Sequence, residues 1–238
     1  MDVASVRVPE KLNSQSVVAL AAELEAAIGD GNARVVELHG SADNVFCQGL
    51  DLARVRGEFN DAEIILRAFA ECLVSLRLST KPTVAAVDGA TLGGGVGIAS
   101  ACDVVIATSR SVFGLPELLL GLAPLLIWPL VLERVPPQKA RLLALKAASV
   151  PAAQACELGL VDSVVEPDAL NRAVNAWTRR LSRADADGVG ALKRHMAQNL
   201  RAIMLDGAAI TAARLGTPSV QSMLRALENE ETAPWLTE

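Results

Sequence analysis

Apolar positions recur at helical spacing near the start of the chain, where Val17, Leu20, Leu24 and Ile28 follow one another three or four residues apart. Asn13 and Ser14 can cap this run, and Gly29 and Gly31 end it. Arg34 to His39 reads as a buried strand stopped by Gly40. A second helix is predicted from about Asp61 to Leu78, with Ile65, Phe69, Cys72 or Leu73, and Leu76 on one face, before Lys81-Pro82 breaks it. Thr83 to Val87 reads as a strand and Asp88-Gly89 as a turn. Gly93, Gly94 and Gly95 open a short helix of small residues to about Cys102, followed by a strand at Asp103 to Ala107. Helices are predicted at Pro137–Ala147 and Pro151–Glu157, with a short strand at Leu160 to Val165. From Asp168 onward the pattern is helical or polar and ends in an acidic tail. Strands alternating with helices predict an α/β core, here residues 1–167, and a helical C-terminal region, residues 168–238.

Composition narrows the chemistry. The 238 residues are 51% hydrophobic, ample for the core of one domain. There is no Tyr, which excludes a phenolic acid, and the two histidines, His39 and His195, stand too far apart for a helical His-x-x-x-His zinc site, so no metal is expected. A net charge of −5 with 3% aromatics argues against a nucleic-acid surface. Cys47, Cys72, Cys102 and Cys156 are widely spaced and read as free thiols in a reducing cytoplasm. The first eleven residues lack the apolar core of a signal peptide. The longest apolar stretch, Leu118 to Leu132, is broken by Gly121, Pro124 and Pro129 and falls short of the about 20 residues a membrane span takes. These features predict a cytoplasmic protein with no membrane partner.

Three segments carry unusual chemistry: Phe46-Cys47-Gln48-Gly49-Leu50-Asp51, Ala90 to Gly97 around the triple glycine, and Phe113-Gly114-Leu115-Pro116-Glu117. The triple glycine fits neither Gly-x-Gly-x-x-Gly nor a phosphate loop. Glycines opening a helix can present backbone N–H groups to a ligand oxygen, or can simply permit close helix–strand packing. Glu117, flanked by Leu115, Pro116, Leu118 and Leu119, is a partly desolvated carboxylate suited to acid/base work, or else a helix-start cap or ion-pair member.

Together these segments resemble the crotonase, or enoyl-CoA hydratase/isomerase, superfamily. Leu12-Asn13 looks like the opening of its first helix, and Phe46 to Asp51 is similar to its Phe-x-x-Gly-x-Asp. Lys81-Pro82 and Val84 to Gly97 look like its Lys-Pro motif and triple glycine, Cys102-Asp103 like its Cys-Asp, and Glu157 to Asp162 like its Gly-Leu-Val-Asp. The resemblance implies a spiral of ββα units, first strands reduced by the short Met1–Lys11 start, and a homotrimer or dimer of trimers completed by the C-terminal helices. It also implies an oxyanion hole whose backbone donors are Leu50 and Gly94. No cofactor is implied beyond the CoA or phosphopantetheine that carries the substrate.

Two departures narrow the activity. The common hydratases of the family use two glutamates, and here Gly97 stands at the first of those positions, leaving Glu117. After Gly121 to Pro124 the chain runs Leu125-Leu126-Ile127-Trp128-Pro129-Leu130 where those hydratases carry a glycine-rich turn, so the acyl pocket, with Leu92, Leu125 and Trp128, should be remoulded. These features look like the subgroup of polyketide β-branching cassettes. That resemblance implies dehydration of 3-hydroxy-3-methylglutaryl on an acyl carrier protein to the 3-methylglutaconyl thioester. Asp51 is a candidate helper or a loop cap, His195 reads as part of a charged, solvated helix face, and Cys47 as packing. The rival readings are an enoyl-CoA hydratase/isomerase acting on free CoA thioesters and a non-catalytic scaffold of the same fold.

Overall fold

A computed structural model describes residues 3–51 and 62–228. The start of the second predicted helix at Asp61 and the acidic tail lie outside the described residues. Strand β1 (Val3–Val8) leads into helix α1 (Ser14–Gly29), where Asn13 and Ser16 form a reciprocal cap, each side chain accepting the other's backbone N–H. Strands β2 (Val35–Gly40) and β3 (Val45–Cys47) are followed by α2 (Ala62–Leu78). Strands β4 (Thr83–Val87) and β5 (Ala90–Leu92) are followed by α3 (Gly94–Ala101). Strands β6 (Val104–Thr108) and β7 (Val112–Gly114) lead to a 3-10 turn at Pro116–Leu120, then α4 (Trp128–Arg134) and α5 (Pro137–Lys146).

The strands of each pair go to different sheets. One sheet runs β1-β2-β4-β6-β9, with β9 at Ser163–Val165, and all its pairings are parallel. The other runs β3-β5-β7-β8, with β8 (Val150–Pro151) antiparallel to β7. Each ββα unit therefore adds one strand to each sheet, as a spiral must. The five-stranded sheet is buried on both faces, as parallel sheets are. Val36, Leu38, Ala85, Val87, Val105 and Ala107 face the main core with α1 and α2. Val35, Val84, Val104 and Ile106 face the opposite way, against Leu170 and Val174 of α7 (Leu170–Leu181).

Helix α6 (Ala152–Leu158) precedes β9, and α8 (Ala186–Met196), α9 (Leu200–Leu215) and α10 (Pro218–Glu228) complete the helical C-terminal region. Short β3, β5, β7 and β8 were not foreseen from periodicity, nor was α4, whose Pro129 sits in the first turn, where proline is tolerated. The charged stretch around His195 divides. His195 is exposed, but Lys193 turns inward. Its ammonium lies 2.6 Å from Asp103 and donates to Lys81 O at 3.1 Å.

Candidate active site

The Phe46–Asp51 segment is held by the chain just before α1. Leu12 N–H donates to Gly49 O and Asp51 N–H donates to Leu12 O, both at 2.8 Å. In this parallel bridge Leu12 uses both of its backbone groups on the bonds flanking Leu50, so the Leu50 N–H faces the opposite edge. Gly49 sits at φ +82°, and a Cβ on it would lie 3.0 Å from Gly94 N and 3.0 Å from Leu92 O. The two predicted donor segments are thus neighbours. Gly94 is the first residue of α3, whose N–H has no acceptor within the helix and stands at the positive end of its dipole.

The glycines answer to both readings of the motif, residue by residue. A Cβ on Gly95 would fall 2.2 Å from Cys47 O, and one on Gly94 would fall 2.6 Å from Leu12 Cδ1. Those absences permit packing. Gly93, at φ +49°, faces the site, because a Cβ there would lie 3.0 Å from Glu117 Oε1. Glu117 is therefore a neighbour of Gly93 at the N-terminus of α3.

Glu117 is fixed by the 3-10 turn that Pro116 opens, with its own carbonyl accepting from Leu122 N–H at 3.0 Å. The residue is half-buried, but its Oε2 is shut off from solvent and has no hydrogen-bond partner. Burial pushes the carboxyl up to about 7, opposed only by a bond from its own backbone. The flanking leucines, from which this desolvation is expected, differ in burial. Leu115 is fully buried, Leu118 and Leu119 are about two-fifths exposed, and Gly93 packs against Oε1. A carboxyl poised near neutrality beside backbone donors can accept and return a proton.

The other site expectations divide. Leu92 ends β5 against the Gly49 turn. Leu125 and Trp128 are half-buried on either side of Leu126 and Ile127, and it is Ile127 that touches α3. A Cβ on Gly97 would meet Ile127 Cγ2 at 2.3 Å, a contact that sequence reasoning placed only as far as the apolar run. Asp51 is half-buried beside Leu50. The Cys47 thiol is buried and pushed up to about 12, which keeps it protonated and suits packing. Asp103 and Asp162, from two of the recognised motifs, serve structure. Asp103 accepts from Thr83 N at 2.8 Å and Oγ1 at 3.0 Å, and Asp162 from Val105 N at 2.7 Å. Among the described residues no group of three or more His, Cys, Asp or Glu side chains is placed to hold a metal ion, and no helix is long and apolar enough to cross a membrane.

The family model for enoyl-CoA hydratase/isomerase matches residues 5–222. A short-chain-enoyl-CoA hydratase of Clostridium acetobutylicum is 35% identical over 177 residues, 71% of this chain and 66% of that protein. A mevalonyl-coenzyme A hydratase of Aspergillus fumigatus is 35% identical over 147 residues, 60% of this chain and 54% of that protein. The chain thus spans about two thirds of the first relative's length and about half of the second's. An (E)-benzylidenesuccinyl-CoA hydratase of Thauera aromatica is 32% identical over 78% of this chain and 74% of that protein. Among solved structures, an enoyl-CoA hydratase/isomerase from Xanthobacter autotrophicus superposes with a TM-score of 0.80 at 26% identity, over 93% of this chain and 86% of that one. An enoyl-CoA hydratase from Mycobacterium avium superposes at 0.84 with 24% identity, over 98% and 94%, a likeness of fold.

Proposed function

The chain belongs to the enoyl-CoA hydratase/isomerase family, and on that premise we propose that it is a hydro-lyase of acyl thioesters whose acid/base is Glu117. The observation that carries this reading is the unpartnered, buried Oε2 of Glu117, whose carboxyl lies against Gly93 at the start of α3. Leu50 and Gly94 N–H groups polarise the thioester carbonyl, a role in which one donor is worth about 10²–10³ in rate. The Glu117 carboxylate takes the Cα proton, leaving an enolate. The electron pair of the enolate forms the Cα–Cβ double bond, the Cβ–O bond breaks, and Glu117 returns its proton to the departing hydroxyl as water. The carboxylate is regenerated, and neither metal nor cofactor enters.

The substrate we propose is 3-hydroxy-3-methylglutaryl on an acyl carrier protein, dehydrated to the 3-methylglutaconyl thioester in polyketide β-branching. Gly97 in place of a second carboxylate and the apolar run after Pro124 support it. So does the likeness to a relative named for mevalonyl-CoA, an acyl group that also bears a hydroxyl and a methyl on Cβ. The free CoA thioester is the second reading, favoured by the CoA substrates named for the relatives. Retention of Glu117 against Gly93 argues against a scaffold without activity. The C-terminal region from 168 onward would complete a homotrimer or dimer of trimers in the cytoplasm, which light scattering of the purified protein tests.

The deciding experiment incubates hydroxymethylglutaryl-carrier protein and the matching CoA thioester with wild type and Glu117→Gln, following loss of water by intact mass. Wild type should turn over the carrier-bound form faster. The substitution should lower the rate by about 10²–10⁴, the span of positioned acid/base catalysis. Full activity in Glu117→Gln removes it as the acid/base, and faster turnover of the CoA form favours the second reading.

A further inference from the structure

Leu12 stands immediately before Asn13, the cap of α1, and is wholly buried. Its backbone belongs to a run of hydrogen bonds that ties residues 10–12 to residues 48–51. Gln48 N–H donates to Glu10 O at 2.7 Å, Leu12 N–H to Gly49 O at 2.8 Å and Asp51 N–H to Leu12 O at 2.8 Å. Leu50 is the residue paired with Leu12 in this bridge. The reciprocal Asn13–Ser16 cap fixes the chain just beyond Leu12, so the bridge is anchored to the start of α1.

The side chain of Leu12 goes to the other donor. A Cβ on Gly94 would fall 2.6 Å from Leu12 Cδ1, and 3.3 and 3.4 Å from Cε1 and Cζ of Phe69 on α2. The leucine methyl and the ring edge thus occupy the flank of Gly94 where a side chain would project. Both residues are buried, so neither has open space to swing into. Leu12 therefore holds the Leu50 segment by its backbone and packs on Gly94 by its δ carbon.

We propose that Leu12 is a positioning residue that sets the spacing between the Leu50 and Gly94 N–H groups. The inference rests on the reading of those two groups as donors to the thioester oxygen, and it gives the leucine no contact with substrate. Hydrogen bonds weaken steeply as their geometry departs from the optimum, and a misplacement of about 1 Å can cost about 10²-fold in rate. Two donors that share one oxygen must therefore keep a fixed separation. A side chain with an atom at the δ position keeps it, and one that ends at Cγ leaves a gap beside Gly94. The loss falls on kcat more than on KM, because the oxygen carries most charge in the transition state.

The test reads the donors directly. 3-Hydroxy-3-methylglutaryl-CoA with an isotopically labelled thioester carbonyl is bound to Glu117→Gln, which slows turnover, and the carbonyl stretch is recorded by infrared difference spectroscopy. The two donors should lower that stretch relative to the free thioester. Adding Leu12→Val, which has no δ carbon, should return about half of the shift or more. Leu12→Met, which keeps an atom at δ, should preserve it. So should Leu20→Val, the same truncation at a buried leucine of α1. These changes are small enough for the core to keep its fold. With Glu117 intact, Leu12→Val should lower kcat for loss of water by about 10–100-fold while KM stays within about threefold. The methionine and Leu20 variants should stay within about threefold of wild type in both. A shift unchanged by Leu12→Val, or lost equally in Leu20→Val, overturns the proposal and leaves the reading of the donors standing. No shift in Glu117→Gln itself overturns that reading, and this inference with it.

Discussion

The two ends of helix α3 treat carboxylates in opposite ways. At its C-terminal end three deeply buried cations each meet an acid: Lys193 with Asp103 at 2.6 Å, Arg77 with Glu133 at 2.7 Å and Arg134 with Asp162 at 3.1 Å. Arg134 also donates to Cys102 O at 2.8 Å, capping the chain as it leaves the helix. At the N-terminal end the buried oxygen of Glu117 has no hydrogen-bond partner, and no ion pair reaches it among the described residues. The satisfied acids knit β4, β6 and the helices that follow. The unsatisfied one has a protonation state that is nearly balanced, and that balance suits proton transfer.

Charge removal should accordingly act with opposite sign at the two ends. Lys193→Met leaves the Asp103 carboxylate without its cation. As that side chain keeps 26% exposure, the loss should be about 3 kcal/mol, the lower end for a broken buried pair, read by denaturant unfolding. Glu117→Gln should instead stabilise the fold by roughly 1–3 kcal/mol above about pH 8. The sign follows from the raised folded value. Between the ordinary 4.5 and about 7 the native state binds more protons than the unfolded chain, so wild-type stability falls as pH rises through that window and then levels. The glutamine variant should lack this decline, and a variant as pH-sensitive as wild type would break the comparison. Wild-type turnover should rise with pH through about 7 as the base ionises.

Gly49→Ala sharpens the contrast from the backbone side. The left-handed φ of +82° should cost about 1–2 kcal/mol, and the new methyl, 3.0 Å from Gly94 N, should depress thioester turnover more than stability. The smallest effect belongs to Glu63→Ala. Its pair with Arg67 is about half exposed and one turn apart on α2, so removal should change unfolding by no more than about 0.5 kcal/mol.

Much of this was legible along the chain. Long elements with sustained periodicity or clear stop signals, such as α1, β4 and α5, lie within a residue or two of their predicted bounds. Gly93, Gly94, Leu50 and Glu117 could be named because each stands in an ordered motif. Strands β3, β5 and β7 are three residues long, too short for an alternation to declare itself, and their partners are remote in sequence. Lys193 was hidden among exposed Leu192, Arg194 and His195, because burial of a lysine depends on an acid ninety positions earlier. Gly97 announced a missing side chain, but nothing local could say that Ile127 fills the gap or that Gly207 of α9 packs against the backbone of Leu125 and Leu126.

The Gly207 contact bears on the order in which the protein matures. The proposed oxyanion donors and Glu117 come from the first half of the chain, whereas α9, whose Gly207 lies against Leu125 and Leu126, is among the last elements made. During synthesis the earlier turns of the spiral can wind before α9 leaves the ribosome. Leu125 and Leu126 therefore lack their backing at Gly207 until α9 has packed onto α2 and completed the core with Met204, Ala208 and Leu215.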